Sequence, residues 1–355
     1  MMKKKIVCAS PYFKKETKWL SPAFPEYDWN FCYPIAPKLR RYINHNNYDR
    51  LNRLMQAIQV IGASYAPSVE LILLFDEALT FWTATLLSRV NGRKKPPVVC
   101  FSMNYHTLPT GLKYRLMRKA FQQVDLFVVH SKFDKYRYAN YFDLDPGKIE
   151  VMLWGISPSE ITPLEPLVTG DYICALGENA RDYKTLIEAM WKLPDIRLEL
   201  VVKPYNLANL SIPPNVNVHT NIPLSEAKNI LYHSRFMVMP LNGSEVSNGH
   251  VTLALAQHLG KAMIVTDSKG ISDYIIPGYN AETVPAFNVD ALVHYIQLLW
   301  YNPKQCQLLG KNGKIFATNH LDDKNVEAHL KKVIERYIQT DSFYPAYQGE
   351  NTNFE

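Results

Sequence analysis

The chain has 355 residues, 47% of them apolar and 20% charged, with a formal net charge of +6. That length exceeds one ordinary core and predicts a globular protein of two domains of ~150–200 residues each. No run approaches the ~20 apolar residues that cross a bilayer, the charge is too diffuse for nucleic acid, and the scattered Cys8, Cys32, Cys100, Cys174 and Cys306 hold no CxxC pair for a disulfide framework or a zinc site.

Behind Lys3, Lys4 and Lys5 the apolar stretch from Ile6 to Ala9 is too short for a secretory leader, so a cytoplasmic location is expected. Lys5 to Ala9 reads as a strand, and the aromatic, proline-punctuated stretch from Ser10 to Pro37, which has no period, as a loop. Tyr48 to Ile61 has helical spacing, with Arg50 and Arg53 expected outward. Leu71 to Phe75 predicts a strand, Leu79 to Val90 a helix, and Pro97 to Ser102 a strand that runs on into Asn104, Tyr105 and His106. A basic amphipathic helix over Gly111 to Gln122 follows, then strand Leu126 to His130, helix Lys132 to Tyr141 and strand Ile149 to Leu153. This alternation predicts a parallel sheet with helices on both faces.

Thr162 to Pro166 is proline-stiffened and reads as a linker, after which the rhythm restarts. Strand Tyr172 to Leu176, helix Tyr183 to Lys192, strands Leu198 to Val202 and Val216 to His219, and helix Ser225 to Tyr232 lead into the most informative unit. There, strand Phe236 to Pro240 is followed by the small polar loop Asn242 to Gly249, a helix from about Gly249 to Gly260, and strand Ala262 to Thr266. A helix N-terminus at the carboxyl edge of a parallel sheet offers free amides and a positive dipole end to an anion, and phosphate is the expected guest. Helices are predicted over Asp290 to Trp300, Pro303 to Ala317 and Asn325 to Ile338. Two such sheets in tandem would face one another across a cleft.

Several segments resemble the donor domain of GT-B glycosyltransferases, specifically the large retaining group called family 4. Tyr172 to Gly177 with Arg181 to Ala189 is similar to that family's opening strand, glycine turn and first helix. Ala256 to Val265, Gly278-Tyr279-Asn280 with Val284-Pro285 and Asp290-Ala291-Leu292, and Asn302-Pro303 with Leu309-Gly310 and Asn312-Gly313 resemble later landmarks. In the first half, Val129-His130-Ser131 with Trp154-Gly155-Ile156 is similar to the hinge-proximal pattern. The resemblance implies an α/β fold of two Rossmann-like domains facing across a cleft: an acceptor domain at 1–163, a nucleotide-sugar domain at 164–325, and a C-terminal helix and tail at 326–355 that packs back toward the first domain.

It also implies a site. On the donor side stand Gly177, Arg181, Lys184, Lys203, Asn221, Ile222, Ser247, Asn248, Gly249, His250, Val251 and Thr252. Arg181 is the favoured cation for the diphosphate, Lys184 being exposed to the risk of lying on the outer face of its helix, and Ile222 would cover the base. His106, Glu245 and Arg181 are the catalytic candidates, and Asp76, Glu77, Asn104 and Tyr105 the acceptor-side ones. Where the family carries two glutamates, counting back from Gly260 finds Ser247 and Leu255, and Leu255 cannot accept a ribose hydroxyl. Glu245 would substitute for the first if the loop is longer. Ser10-Pro11-Tyr12 stands where paired glycines usually follow the first strand.

The expected activity is transfer of a hexose from a nucleotide-sugar, UDP-sugar favoured, to an unidentified acceptor, with retention and with neither metal nor cofactor, since no Asp-x-Asp stands in a convincing loop. Two alternatives stay open: a non-catalytic sugar- or nucleotide-binding protein on the same fold, and a lipid glycosyltransferase at the inner face of a membrane. The latter is suggested by Lys38, Arg40, Arg41, Arg50 and Arg53 and by Lys113, Arg115, Arg118 and Lys119 interleaved with Tyr and Leu.

Overall fold

The structure, a computed structural model, describes residues 3–12, 20–34, 45–90, 95–105, 107–157 and 165–338. His106, Lys38, Arg40, Arg41 and most of the expected linker lie outside the described residues. The first half runs β1 (Lys5–Ala9), α1 (Leu20–Ala23), β2 (Asp28–Cys32), α2 (His45–Ser64), β3 (Val69–Leu74), α3 (Glu77–Leu87), β4 (Val98–Phe101), α4 (Gly111–Phe121), β5 (Leu126–Val129), α5 (Lys132–Phe142) and β6 (Ile149–Val151). The second runs β7 (Ile173–Leu176), α6 (Tyr183–Trp191), β8 (Leu198–Val202), β9 (Val216–Thr220), α7 (Leu224–His233), β10 (Phe236–Met239), α8 (His250–His258), β11 (Ala262–Thr266), β12 (Glu282–Val284), α9 (Val289–Tyr301), α10 (Pro303–His320) and α11 (Asp323–Tyr337).

Both sheets are parallel throughout, with strand orders β2-β1-β3-β4-β5-β6 and β12-β11-β10-β7-β8-β9. Near-continuous apolar strands such as Ile173–Leu176 and Phe236–Met239 are buried on both faces, as helix-covered parallel strands must be. Each order reverses once, between β1 and β3 in the first sheet and between β7 and β10 in the second. At such a reversal neighbouring connections leave to opposite faces, and a crevice opens above the carboxyl ends of the two strands.

The stretch 10–37 is not a plain loop. It holds α1 and the edge strand β2, whose residues are mostly half-buried and whose Trp29 and Phe31 rings stack at 5.7 Å on one face. Exposed Asp28 and half-buried Asn30 break the apolar run and hide the strand from a periodicity argument. Arg53 is likewise turned inward rather than outward, bonded to Asp76 through Nε at 2.9 Å and Nη2 at 2.9 Å. The charge is drawn in by a carboxylate only 3% exposed.

The last helix returns to the first sheet. Leu330, Val333 and Ile334 of α11 are buried with Ile6, Cys8, Leu71, Leu73, Val99 and Val128. The chain thus crosses between the sheets twice, and the crossings touch: Ile156 bridges Asp322 and donates its N–H to the Leu321 carbonyl at 2.9 Å. Gly155 has no room for a side chain, since a Cβ there would lie 2.4 Å from the Asp322 carbonyl oxygen.

Candidate functional site

The reversal of the second sheet sets two loops side by side, 177–182 after β7 and 240–249 after β10. Backbone bonds stitch them together, from Asp182 N–H to the Pro240 carbonyl at 3.0 Å and from Asn242 N–H to the Ala180 carbonyl at 3.2 Å. Asp182 then caps α6 by accepting the Thr185 N–H. Two glycines make the turns, Gly177 at φ 131° and Gly249 at φ 101°, both in the region that side chains disfavour. Gly249 is the N-cap of α8.

The Arg181 side chain folds into the space these glycines leave. A Cβ on Gly177 would stand 2.7 Å from Nη2 of Arg181, and one on Gly249 would stand 3.1 Å from the same atom. Nη1 donates to the Asn179 carbonyl at 2.8 Å, while Nε is buried with no partner. No carboxylate neutralises the guanidinium among the described residues, and burial pulls its pKa below the ordinary arginine value. A half-buried cation without a counter-ion at a helix N-terminus is stabilised when an anion joins it.

The other donor-side candidates divide. Lys203, just past β8, donates to Asn221 Oδ1 at 3.2 Å, and Asn221 holds φ 56° at the end of β9. Ile222 is half-buried against the core that contains Ile230 and Leu231. Lys184 faces solvent on α6, 3.9 Å from Glu188 one turn on, so it does not join Arg181. Val251 is exposed, Asn248 and Thr252 are half-buried, and Leu255 is sunk in the core. Glu245 is ion-paired to exposed Lys269 at 2.7 Å, which holds its carboxyl below the usual range. It rims a cleft of about 470 Å³ shared with Lys132, Phe133, Tyr136 and Arg137 of α5.

Ser247 points the other way from the expectation. Its hydroxyl is buried against Oδ2 of Asp134 on α5, so it fastens the loop 240–249 to the first half of the chain. Around it lies a polar cluster in which Asp134 and Tyr274 were not anticipated, while His250, expected on the donor side, is buried within it. Asp134 also accepts from Ser131, leaves Oδ1 unpartnered, and has its pKa raised, chiefly by burial. His250 Nε2 meets the Gly270 carbonyl at 3.0 Å, and His130 Nε2 meets the Ser102 hydroxyl at 2.9 Å. Burial lowers the pKa of both, His130 to about 3, so neither carries charge at neutral pH. Tyr274 closes the contact by donating to the His130 carbonyl at 2.9 Å and accepting the Trp154 N–H at 2.8 Å. The available signal was Ser131 three residues before Asp134, a helix start whose acid could face inward.

The first sheet's own reversal places Ser10 to Tyr12, after β1, beside Asp76 and Glu77, after β3. Asp76 is not free for an acceptor: it holds Arg53 and caps α3 by accepting the Leu79 N–H at 2.6 Å. Tyr105 is a core residue, packed on Tyr138 and Phe142. Glu77 remains, with the Asn104 backbone close by, and burial together with the Asp76 charge pushes its carboxyl up to about 8.

No helix among the described residues is long and apolar enough to cross a membrane. By sequence the chain matches no curated protein, while residues 176–316 match the family described as "Glycosyl transferases group 1". By structure it is similar to a glycosyltransferase from Rickettsia africae, at 13% identity and TM-score 0.69, over 96% of this chain and 100% of that one. A sucrose-phosphate synthase from Thermosynechococcus elongatus superposes at 15% identity and TM-score 0.68, over 94% and 98%. HepE from Anabaena, solved in complex with UDP-glucose, gives 11% identity and TM-score 0.69, over 94% and 99%. These likenesses establish the fold as GT-B, two parallel six-stranded α/β domains.

Proposed function

We propose that the protein is a glycosyltransferase that moves a hexose from a nucleotide-sugar, a UDP-sugar in the favoured form, to an acceptor held against the first sheet. The observation that carries this reading is Arg181, a half-buried guanidinium whose Nε is buried without a partner and which has no counter-ion among the described residues, set between Gly177 and Gly249 at the start of α8. Breaking a sugar–diphosphate bond leaves negative charge on the departing phosphate, and Arg181 with the α8 amides is positioned to stabilise it. The family match over 176–316, which spans these residues, and the UDP-glucose complex of HepE support the nucleotide-sugar.

Retention and independence of metal belong to the same reading. A retaining transfer needs no base on the acceptor side. Of the described carboxylates there, Asp76 is committed to Arg53. Arg181 and helix amides supply the leaving-group charge that a cation would otherwise supply. Incubating the purified protein with radiolabelled UDP-hexose and scoring transfer or hydrolysis tests the proposal. UDP bound with neither transfer nor hydrolysis from any UDP-hexose would leave the binding-scaffold reading in its place.

A further inference from the structure

Helices α2, α3 and α4 form one layer over the first sheet, with α3 packed between the other two. Their inner faces are buried in one core, but their outer face is not what solvent alone would select. On α2, Leu51, Met55 and Ile58 stand on successive turns and are 41%, 38% and 50% exposed. They occupy the pole opposite Asn52, Gln56 and Val60, which are buried.

On α4, Leu112 and Leu116, one turn apart, are 71% and 50% exposed. Tyr114 and Phe121 turn the opposite flank of α4 to Tyr141 and Phe142 of α5, so the two leucines lie on the flank toward α3. Between them and the α2 stripe, α3 carries no charged side chain from Ala78 to Leu87. Single exposed leucines are ordinary on a protein surface, whereas exposed apolar stripes on two helices of one layer mark a contact surface.

The stripes have a cationic border. Helix α4 holds Lys113, Arg115, Arg118 and Lys119 and no acidic residue. Arg118 is paired with Asp143, while the other three have no acidic partner among the described residues. Leucines beside an arc of lysine and arginine are the composition of a helix that lies in the headgroup plane of a bilayer. A second copy of this chain fits worse, because a two-fold contact through this face would set the α4 cations of one protomer against those of its partner.

We propose that this outer face of the first domain docks on an anionic lipid bilayer, with Leu112, Leu116 and the α2 stripe entering the headgroup boundary and Arg115 and Lys119 facing lipid phosphates. Both α2 and α4 begin at the carboxyl edge of the first sheet, so docking brings the mouth of the interdomain cleft near the lipid surface. The surface is separate from the Arg181 cradle and stands or falls independently of the donor chemistry.

Flotation of the full chain with phosphatidylcholine vesicles, with and without phosphatidylglycerol, tests it. Binding is expected only with phosphatidylglycerol and is expected to fall as salt rises. Each cation near an anionic surface accounts for about a fivefold change in partition, so Arg115→Ala with Lys119→Ala is expected to weaken binding about 25-fold. Leu112→Ser with Leu116→Ser is expected to weaken it on the order of tenfold or more, with the melting temperature of wild type in both variants. Failure of the wild type to float with anionic vesicles overturns the proposal, as does undiminished binding by the two double variants. A dimer in sedimentation equilibrium that the leucine variant dissociates would assign the face to a second copy instead. UDP affinity, measured alongside, reports the donor site separately.

Discussion

Arg181 and Gly249 share one space: the guanidinium occupies what a side chain at residue 249 would need, with Nη2 only 3.1 Å from the position of its Cβ. Gly249→Val therefore displaces the cation and forces a branched residue into φ 101° at the start of α8. Calorimetry is expected to find no UDP affinity in this variant. Affinity equal to wild type would move the diphosphate away from this loop.

Arg181→Ala is expected to lower turnover on the order of a hundredfold or more, as loss of a charged leaving-group stabiliser does. The same change removes a half-buried charge that has no counter-ion and whose Nε lacks a partner, so the variant is expected to melt no lower than wild type without ligand. Steady-state kinetics and a melting curve check the two halves separately.

The base is addressed by a thermal-shift panel of UDP, GDP, ADP and TDP. The loop Asn221-Ile222-Pro223 offers an apolar side chain and amides but no acidic or arginine side chain for guanine's extra donors, so UDP is the expected stabiliser. At a hundred times its Kd a ligand adds ~2.7 kcal/mol. A shift with GDP alone would refute the uracil assignment.

Glu77 gives a stability signature in pH. Its folded carboxyl is raised from 4.5 to about 8 by burial and by Asp76. Between those values the folded state holds the proton that the unfolded chain releases, so this group's contribution falls as pH rises from 4.5 toward 8 and changes little beyond. In Glu77→Gln that decline is expected to flatten in urea melts taken across the window. An unaltered slope would mean that other groups produce it.

Ser247→Ala removes a donor from buried Asp134, whose Oδ1 already lacks a partner. The expected cost is about 1–3 kcal/mol in urea unfolding. Asp134→Asn is expected to make the second change nearly neutral, because the uncompensated carboxylate is then gone. Additive losses in the double variant would show that the two side chains act separately.

Much of the fold was legible because parallel strands buried on both faces leave unbroken apolar runs, as at Leu126–Val129 and Ala262–Thr266, and because Gly249 and Gly260 bracket α8. The edge strand β2 was not, since Asp28 and Asn30 interrupt its apolar run, although Cys32 packs on one side of the strand and Trp29 and Phe31 on the other. Arg181 was legible as a cation after a glycine turn, but its burial against a second glycine from residue 249 is a property of two loops brought together only at the sheet's reversal. Lys184, one turn of reasoning away, differs by which side of α6 it occupies. The Asp134–Ser247 contact joins residues 113 positions apart, beyond any local spacing. Arg53 misled for a related reason: a charge on an amphipathic helix reads as outward until its partner, Asp76, is seen beneath it.

The bridge between Ile156 and Asp322 constrains how the cleft can open. Two strands of a hinge fixed together at one level behave as a single pivot: relative motion of the domains is reduced to swinging about that line, and sliding or twisting past one another would break the Ile156 N–H bond to Leu321 or drive Gly155 into the Asp322 carbonyl. Any such swing that widens the cleft at the Glu245 rim must also part the Ser247–Asp134 and Tyr274–His130 contacts.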